Sequence, residues 1–249
     1  MKIEDSITLV TGANRGIGRA LVTALATAGA QKIYAGMRDV ETFKRNHPDI
    51  FDSFQGKVEP LALDITKKNQ VDFAVEKAYD VNLLINNAGI ANYSGLIAAD
   101  DLSSARQEME VNYFATLSMI RGFAPVLKKN GGGAIVNILS VASLVNFPLL
   151  GSYSASKAAL YSLTQGVRAE LAAQGTAVTG VYPGPIDTDM ARGIDMKKAS
   201  PDKIALGTLD AIEKGEEDAF IDQMAVEIRQ GLLSDPKSVE RQCGEMLPA

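Results

Sequence analysis

The chain has 249 residues, 46% of them hydrophobic, a formal net charge of −5, one cysteine and one histidine. That length and apolar fraction suffice for one large buried core, so a single domain over residues 1–249 is expected. Thinly spread Lys and Arg at net negative charge exclude a nucleic-acid face, and the isolation of Cys243 and His47 excludes a disulfide framework or a thiolate–imidazole metal cluster within the chain.

The first apolar run, residues 7–10, follows Lys2, Glu4 and Asp5, and no run of about 18 apolar residues occurs anywhere. Neither a signal peptide nor a membrane span is expected, and a reducing cytoplasm is the expected setting. Between this run and the next, at 33–35, Ile17, Leu21, Ala24, Leu25 and Ala28 recur at helical spacing, with Gly29 as the stop. Further short, nearly all-apolar runs fall at 58–63, 81–85, 134–139, 178–182 and 219–221, as parallel strands buried on both faces require. Helical patterns fit 67–79, 103–128, 153–174, 201–214 and 225–233, while 130–133 and 213–218 read as loops. This alternation predicts a doubly wound (Rossmann-type) α/β fold, a mostly parallel sheet of about seven strands with helices on both faces.

Directly after the first strand comes Thr11-Gly12-Ala13-Asn14-Arg15-Gly16-Ile17-Gly18, running into the first helix. Residues without Cβ permit a tight reversal there and close approach of a pyrophosphate to N–H groups at the helix start; a ligand-free turn is the alternative. Tyr153 and Lys157 are four positions apart, so one helical face carries both. A phenol ordinarily titrates near 10, and an adjacent ammonium favours the phenolate, so the pair is expected to lower the Tyr153 pKa and make it usable as acid and base. Ser140 ends the fifth strand, thirteen residues before Tyr153, with Ser143 as a rival hydroxyl. His47 and Cys243 are expected to have no chemical role.

Taken in order, the glycine turn, Asn86-Asn87-Ala88-Gly89, Asn112, Ser140, Tyr153, Lys157 and Pro183-Gly184 resemble the short-chain dehydrogenase/reductase family over nearly the whole chain. The resemblance implies a nicotinamide dinucleotide contacted by Gly12, Asn14, Arg15, Gly16, Ile17, Gly18, Arg38, Asp64, Ile65, Asn87, Ala88, Gly89, Tyr153, Lys157, Pro183, Gly184, Ile186 and Thr188, with no metal. It implies that Tyr153 exchanges the proton, Ser140 binds the substrate oxygen, Lys157 also donates to the nicotinamide ribose, and Asn112 holds a water chained to the lysine. Asn112 can equally bond nearby backbone, and both roles can coexist. Asp64 is open between the adenine amino group and a cap of the following helix, and Asn87 between cofactor and strand tether. One family feature is missing: the usual pair of adjacent serines is here Leu139-Ser140.

The second strand ends Tyr34-Ala35-Gly36-Met37-Arg38, without the acid that NAD-selective relatives carry at Gly36 or Met37. Arg38 and Arg15 can clamp a 2′-phosphate, so NADP(H) is favoured over NAD(H), with Asp39 as an opposing charge. The implied reaction moves a hydride between NADP(H) and a small, largely apolar carbonyl or alcohol, with ketone or aldehyde reduction favoured. Ile90, Tyr93, Leu96, Val141, Val145, Phe147, Leu149, Leu150, Met190, Ile194 and Met196 are expected to form its pocket, or else core or subunit contacts. The alternatives are an NADPH-binding regulator without turnover and a lyase or epimerase. Family habit implies a homotetramer or homodimer joined through helices 103–128 and 153–174.

Overall fold

Alternate residues of the strands point to opposite faces, and here both faces are apolar, so the sheet is buried on both sides. In the computed structural model, which describes residues 1–47, 53–54, 56–93, 95–193 and 195–247, seven parallel strands lie in the order β3-β2-β1-β4-β5-β6-β7. They are β1 (Ile7–Thr11), β2 (Lys32–Met37), β3 (Val58–Ala62), β4 (Leu83–Asn86), β5 (Gly133–Ile138), β6 (Thr176–Val181) and β7 (Asp218–Ala219). Among the described residues the helices are α1 (Gly16–Thr27), α2 (Val40–Asn46), α3 (Lys68–Lys77), α4 (Ser103–Met109), α5 (Thr116–Lys129), α6 (Gly151–Leu171), α7 (Pro201–Lys214), α8 (Gln223–Ser234) and α9 (Pro236–Gly244). Among the described residues no helix is long and apolar enough to cross a membrane.

Val10, Ile33, Leu83, Ile85 and Val136 pack on one face against Leu21 and Leu25 of α1 and Ile204 of α7. Their neighbours Leu9, Tyr34, Leu84 and Ile135 turn to the other face, against Val71 of α3, Phe123 of α5 and Val167 of α6. Each fully buried Leu contributes about 1.5–3 kcal/mol. The strand order reverses at β1, whose neighbours are β2 and β4, so a crevice opens above the carboxyl ends of β1 and β4.

Several elements differ from the sequence reading. The 103–128 helix is unbroken but not α-helical throughout: a single π-helical turn, Glu110–Ala115, lies between α4 and α5 and carries Asn112. One extra residue per turn is a local distortion that hydrophobic spacing does not reveal, and such turns gather at functional sites. α2 and α9 were not expected. α2 is largely polar and starts on Asp39, whose carboxylate accepts from Thr42 N–H at 2.9 Å. α9 starts at Asp235-Pro236 and buries only Val239 and Cys243, one turn apart. β7 is shorter and earlier than 219–221, because Asp222 already caps α8. Of the pocket residues expected, Ile194 lies outside the described residues.

Candidate active site

The glycine turn is shaped by residues that a side chain would spoil. Gly12 has φ +65°, and a Cβ on Gly18 would sit 2.2 Å from the Gly12 carbonyl oxygen. The turn is tied to the end of β4: Thr11 Oγ1 accepts from the N–H groups of Asn87 and Ala88, each at 3.0 Å. Asn87 Nδ2 donates to the carbonyls of Thr11 and Gly12 at 2.8 and 3.2 Å. The Asn87 side chain therefore serves as a tether, while the residue also borders the cleft. No side chain caps the first turn of α1, which leaves its N–H groups for an anion.

Above the strand ends lies a cleft of about 1080 Å³. Gly12, Asn14, Arg15, Gly16, Ile17, Arg38, Asp64, Ile65, Ala88, Gly89, Ser140, Tyr153, Lys157, Pro183, Gly184, Ile186 and Thr188 line it; Gly18 and Asn112 stand behind its wall. Arg15 and Arg38 are exposed, and Arg15 pairs with Asp189 at 3.4 Å. Asp39 is not part of the lining, its carboxylate being engaged at the start of α2. Asp64 does not cap α3. Its Oδ1 accepts from the N–H and hydroxyl of Thr66 at 3.0 and 2.7 Å. Burial would raise the Asp64 carboxyl, but the Thr66 contacts, with Lys67 and Arg38 nearby, hold it below the usual range.

At the other end, Lys157 is buried and donates to the Ile138 carbonyl at 2.8 Å, its Nζ lying 5.8 Å from the Tyr153 ring centroid. Burial pulls the Lys157 ammonium down to about 8. The expected lowering of the Tyr153 pKa is not what this geometry produces. Burial pushes the phenol up to about 12; the Ser140 hydroxyl draws it down, while Tyr93 and Glu108 push it further up. Burial thus dominates, and the Lys157 ammonium is turned to the Ile138 carbonyl. Ser140 Oγ accepts from Ala142 N–H at 3.1 Å and donates weakly to the Pro183 carbonyl at 3.4 Å. Its rival Ser143 instead accepts from Ser140 N–H at 3.1 Å and lies off the cleft. Asn112 is fully buried; its amide accepts from Ile90 N–H and donates to the Ile90 carbonyl and Ser156 Oγ, each at 2.9 Å. Backbone bonding is the role its side chain fills here.

Of the expected apolar wall, Ile90, Tyr93, Val141, Phe147, Leu150, Met190 and Met196 line the cleft. Val145 packs in a neighbouring core cluster, and Leu96 and Leu149 are exposed off the lining. Sequence reasoning missed Met224, which α8 brings to the wall, and Asp222, whose carboxylate accepts from Gly184 N–H at 2.8 Å and so pins the Pro183-Gly184 turn. Tyr93 was expected in the wall, but not its strained backbone, at φ +49°, nor that its hydroxyl donates to the Met190 carbonyl across the cleft mouth.

A parallel sheet with a glycine turn at its reversal point defines a Rossmann-type protein. A family model described as short chain dehydrogenase matches residues 6–199. The chain is 42% identical to a short chain dehydrogenase from Burkholderia cenocepacia J2315 in complex with NADP, covering 100% of both chains with a TM-score of 0.90. It is 33% identical over 221 residues to an uncharacterized oxidoreductase from Staphylococcus saprophyticus, covering 86% of this chain and 94% of that one. A short chain dehydrogenase/reductase from Burkholderia phymatum in complex with NAD shares the fold at 22% identity and TM-score 0.85, with 96% of each chain covered. The chain belongs to the short-chain dehydrogenase/reductase family and is an oxidoreductase.

Proposed function

We propose that the protein is an NADP(H)-dependent carbonyl reductase or alcohol dehydrogenase acting on a small, largely apolar ketone, aldehyde or secondary alcohol. The observation that carries this reading is the convergence of Tyr153, Ser140 and Lys157 on the cleft that begins at the glycine turn. The residues fit a dinucleotide: the Gly12–Gly18 approach leaves no room for side chains, and the uncapped start of α1 suits a pyrophosphate. Arg15 and Arg38, with no acid in the lining at Gly36 or Met37, suit a 2′-phosphate, and the Burkholderia cenocepacia relative is in complex with NADP. When bound, the reduced nicotinamide supplies the hydride.

The chain's own residues handle the oxygen and the proton. Ser140 Oγ and the Tyr153 hydroxyl donate to the substrate oxygen and hold the carbonyl carbon in place, orientation that is worth up to roughly 7–11 kcal/mol of barrier. A phenol held at about 12 is protonated at neutral pH, the state required to deliver a proton as the carbonyl becomes an alcohol. Lys157, charged below about 8, can restore that proton to the phenolate. Val141, Phe147, Leu150, Met190, Met196 and Met224 form the apolar side of the chamber, and flexible methionines suit substrates of varied shape.

Tyr153→Phe should lower turnover at least about 100-fold, the scale of general-acid catalysis, with NADPH affinity within tenfold of wild type. Near-wild-type turnover would refute the assignment. The substrate is to be found by screening carbonyls and alcohols with all four nicotinamide cofactors. We further propose a single catalytic unit in the cytoplasm, assembled as a homodimer or homotetramer through α5 and α6. A groove lined by Tyr113, Leu117, Arg121, Gly166 and Glu170 runs between those helices beside the exposed Phe114. A monomer by light scattering at micromolar concentration would contradict the assembly.

A further inference from the structure

Behind the cleft, two helices meet in a repeating pattern. Glu108 and Asn112 are one turn apart on the α4 side, and Ser152 and Ser156 are one turn apart on α6. The lower rung joins Asn112 to Ser156 Oγ at 2.9 Å and to both backbone groups of Ile90. The upper rung joins Glu108 to Ser152, whose hydroxyl donates to Oε2 at 2.5 Å, and to Asn92, whose N–H donates to Oε1 at 2.7 Å. Each serine directly precedes a candidate catalytic residue, Ser152 before Tyr153 and Ser156 before Lys157. Asn92 directly precedes Tyr93, the strained residue at the cleft mouth.

Glu108 is fully buried, at 0% exposure, and both partners of its carboxylate are neutral donors. Burying an acid on neutral donors costs more than an apolar side chain of similar volume, so stability gives no reason for an acid at this place. Asn112 already fastens the loop at Ile90, so the upper rung adds something other than a second anchor for that residue.

We propose that Glu108 is a positioning residue that ties the first turn of α6 to the loop after β4 and thereby sets where the Tyr153 hydroxyl meets the substrate oxygen. This rests on the reading of Tyr153 as the acid. Four groups face the phenol: Ser140 from the end of β5, Lys157 from its own helix, Tyr93 from the loop after β4 and Glu108 from α4. Of these, Glu108 alone combines a negative charge with a bond to the residue next to Tyr153.

Two variants separate geometry from charge. Glu108→Gln retains an acceptor for Asn92 N–H and offers an amide donor to Ser152 Oγ, whereas Glu108→Met fills the volume with neither. A misplacement of about 1 Å costs on the order of 100-fold in rate, so Glu108→Met should lose at least about tenfold in kcat, with KM changed less and NADPH affinity within about twofold. Glu108→Gln should keep kcat within about threefold. Its Tyr153 titration, read as tyrosinate absorbance of the cofactor-free protein after subtracting a Tyr153→Phe background, should move down by about half a pH unit or more. Wild-type kcat in Glu108→Met, a loss of NADPH affinity in proportion to kcat, or an unmoved titration in Glu108→Gln would overturn the proposal. If Glu108→Met does not fold by circular dichroism, Ser152→Ala removes the same rung and must show the same kcat loss. Activity retained by Tyr153→Phe would sink the functional reading instead, while the titration needs no turnover and still reports on the Glu108 charge beside the phenol.

Discussion

Arg38→Asp is the sharpest test of cofactor preference. Arg15 and Arg38 both line the cleft, but Arg15 is paired with Asp189 at 3.4 Å while Arg38 forms no ion pair among the described residues. An exposed pair of that kind is worth about 0–1 kcal/mol, so a 2′-phosphate competes with Asp189 for Arg15 at little cost. A charge-assisted contact from Arg38 to the phosphate is worth about 1.5–3 kcal/mol, or about 10- to 150-fold in affinity. Exposure at the rim places the effect toward the lower figure and makes it salt-dependent. Arg38→Asp should therefore weaken NADPH binding at least about tenfold while leaving NADH binding unchanged or tighter, because a carboxylate can accept from the ribose 2′-hydroxyl. The assay is titration of the reduced cofactors by fluorescence at low and high salt. An NADPH-to-NADH affinity ratio within twofold of wild type would refute the clamp. Asp39→Ala serves as a control: since its carboxylate holds Thr42 rather than facing the cleft, NADPH affinity should not rise.

Gly18→Ala places a Cβ 2.2 Å from the Gly12 carbonyl oxygen and 2.5 Å from Asn87 Nδ2, so the turn and α1 must separate. A stability loss of roughly 1–3 kcal/mol and weakened cofactor binding should follow, and an unchanged thermal midpoint would contradict the packing. Lys157→Met should abolish turnover yet raise stability at neutral pH. Burial holds the Lys157 ammonium at about 8 against its ordinary 10.5, so the unfolded chain binds more protons between those values. The penalty is therefore full below about pH 8 and fades as pH rises toward 10.5. Removing it should gain up to about 3 kcal/mol at pH 7, less at pH 10, by denaturant melts; equal gains at both would rule out charge burial.

The sheet, its parallel sense and the wrapping helices were legible in the sequence because each strand carries apolar residues for both faces and each long helix an apolar stripe. Leu9 and Val10, adjacent in sequence, settle on opposite faces for that reason. The glycine turn and the Tyr153–Lys157 spacing were equally legible, since both are local: one depends on missing Cβ atoms, the other on the pitch of a single helix. What the sequence could not convey depends on which distant groups become neighbours. Asp222 meets Gly184, Met224 joins the cleft wall, and Glu108 meets Ser152 only once β4, the π-helical turn and α6 are packed together. The pKa of Tyr153 belongs to the same class. Helical spacing predicted a neighbouring cation, but burial and the direction in which Lys157 points were decided by tertiary packing, and those set the balance of charge around the phenol.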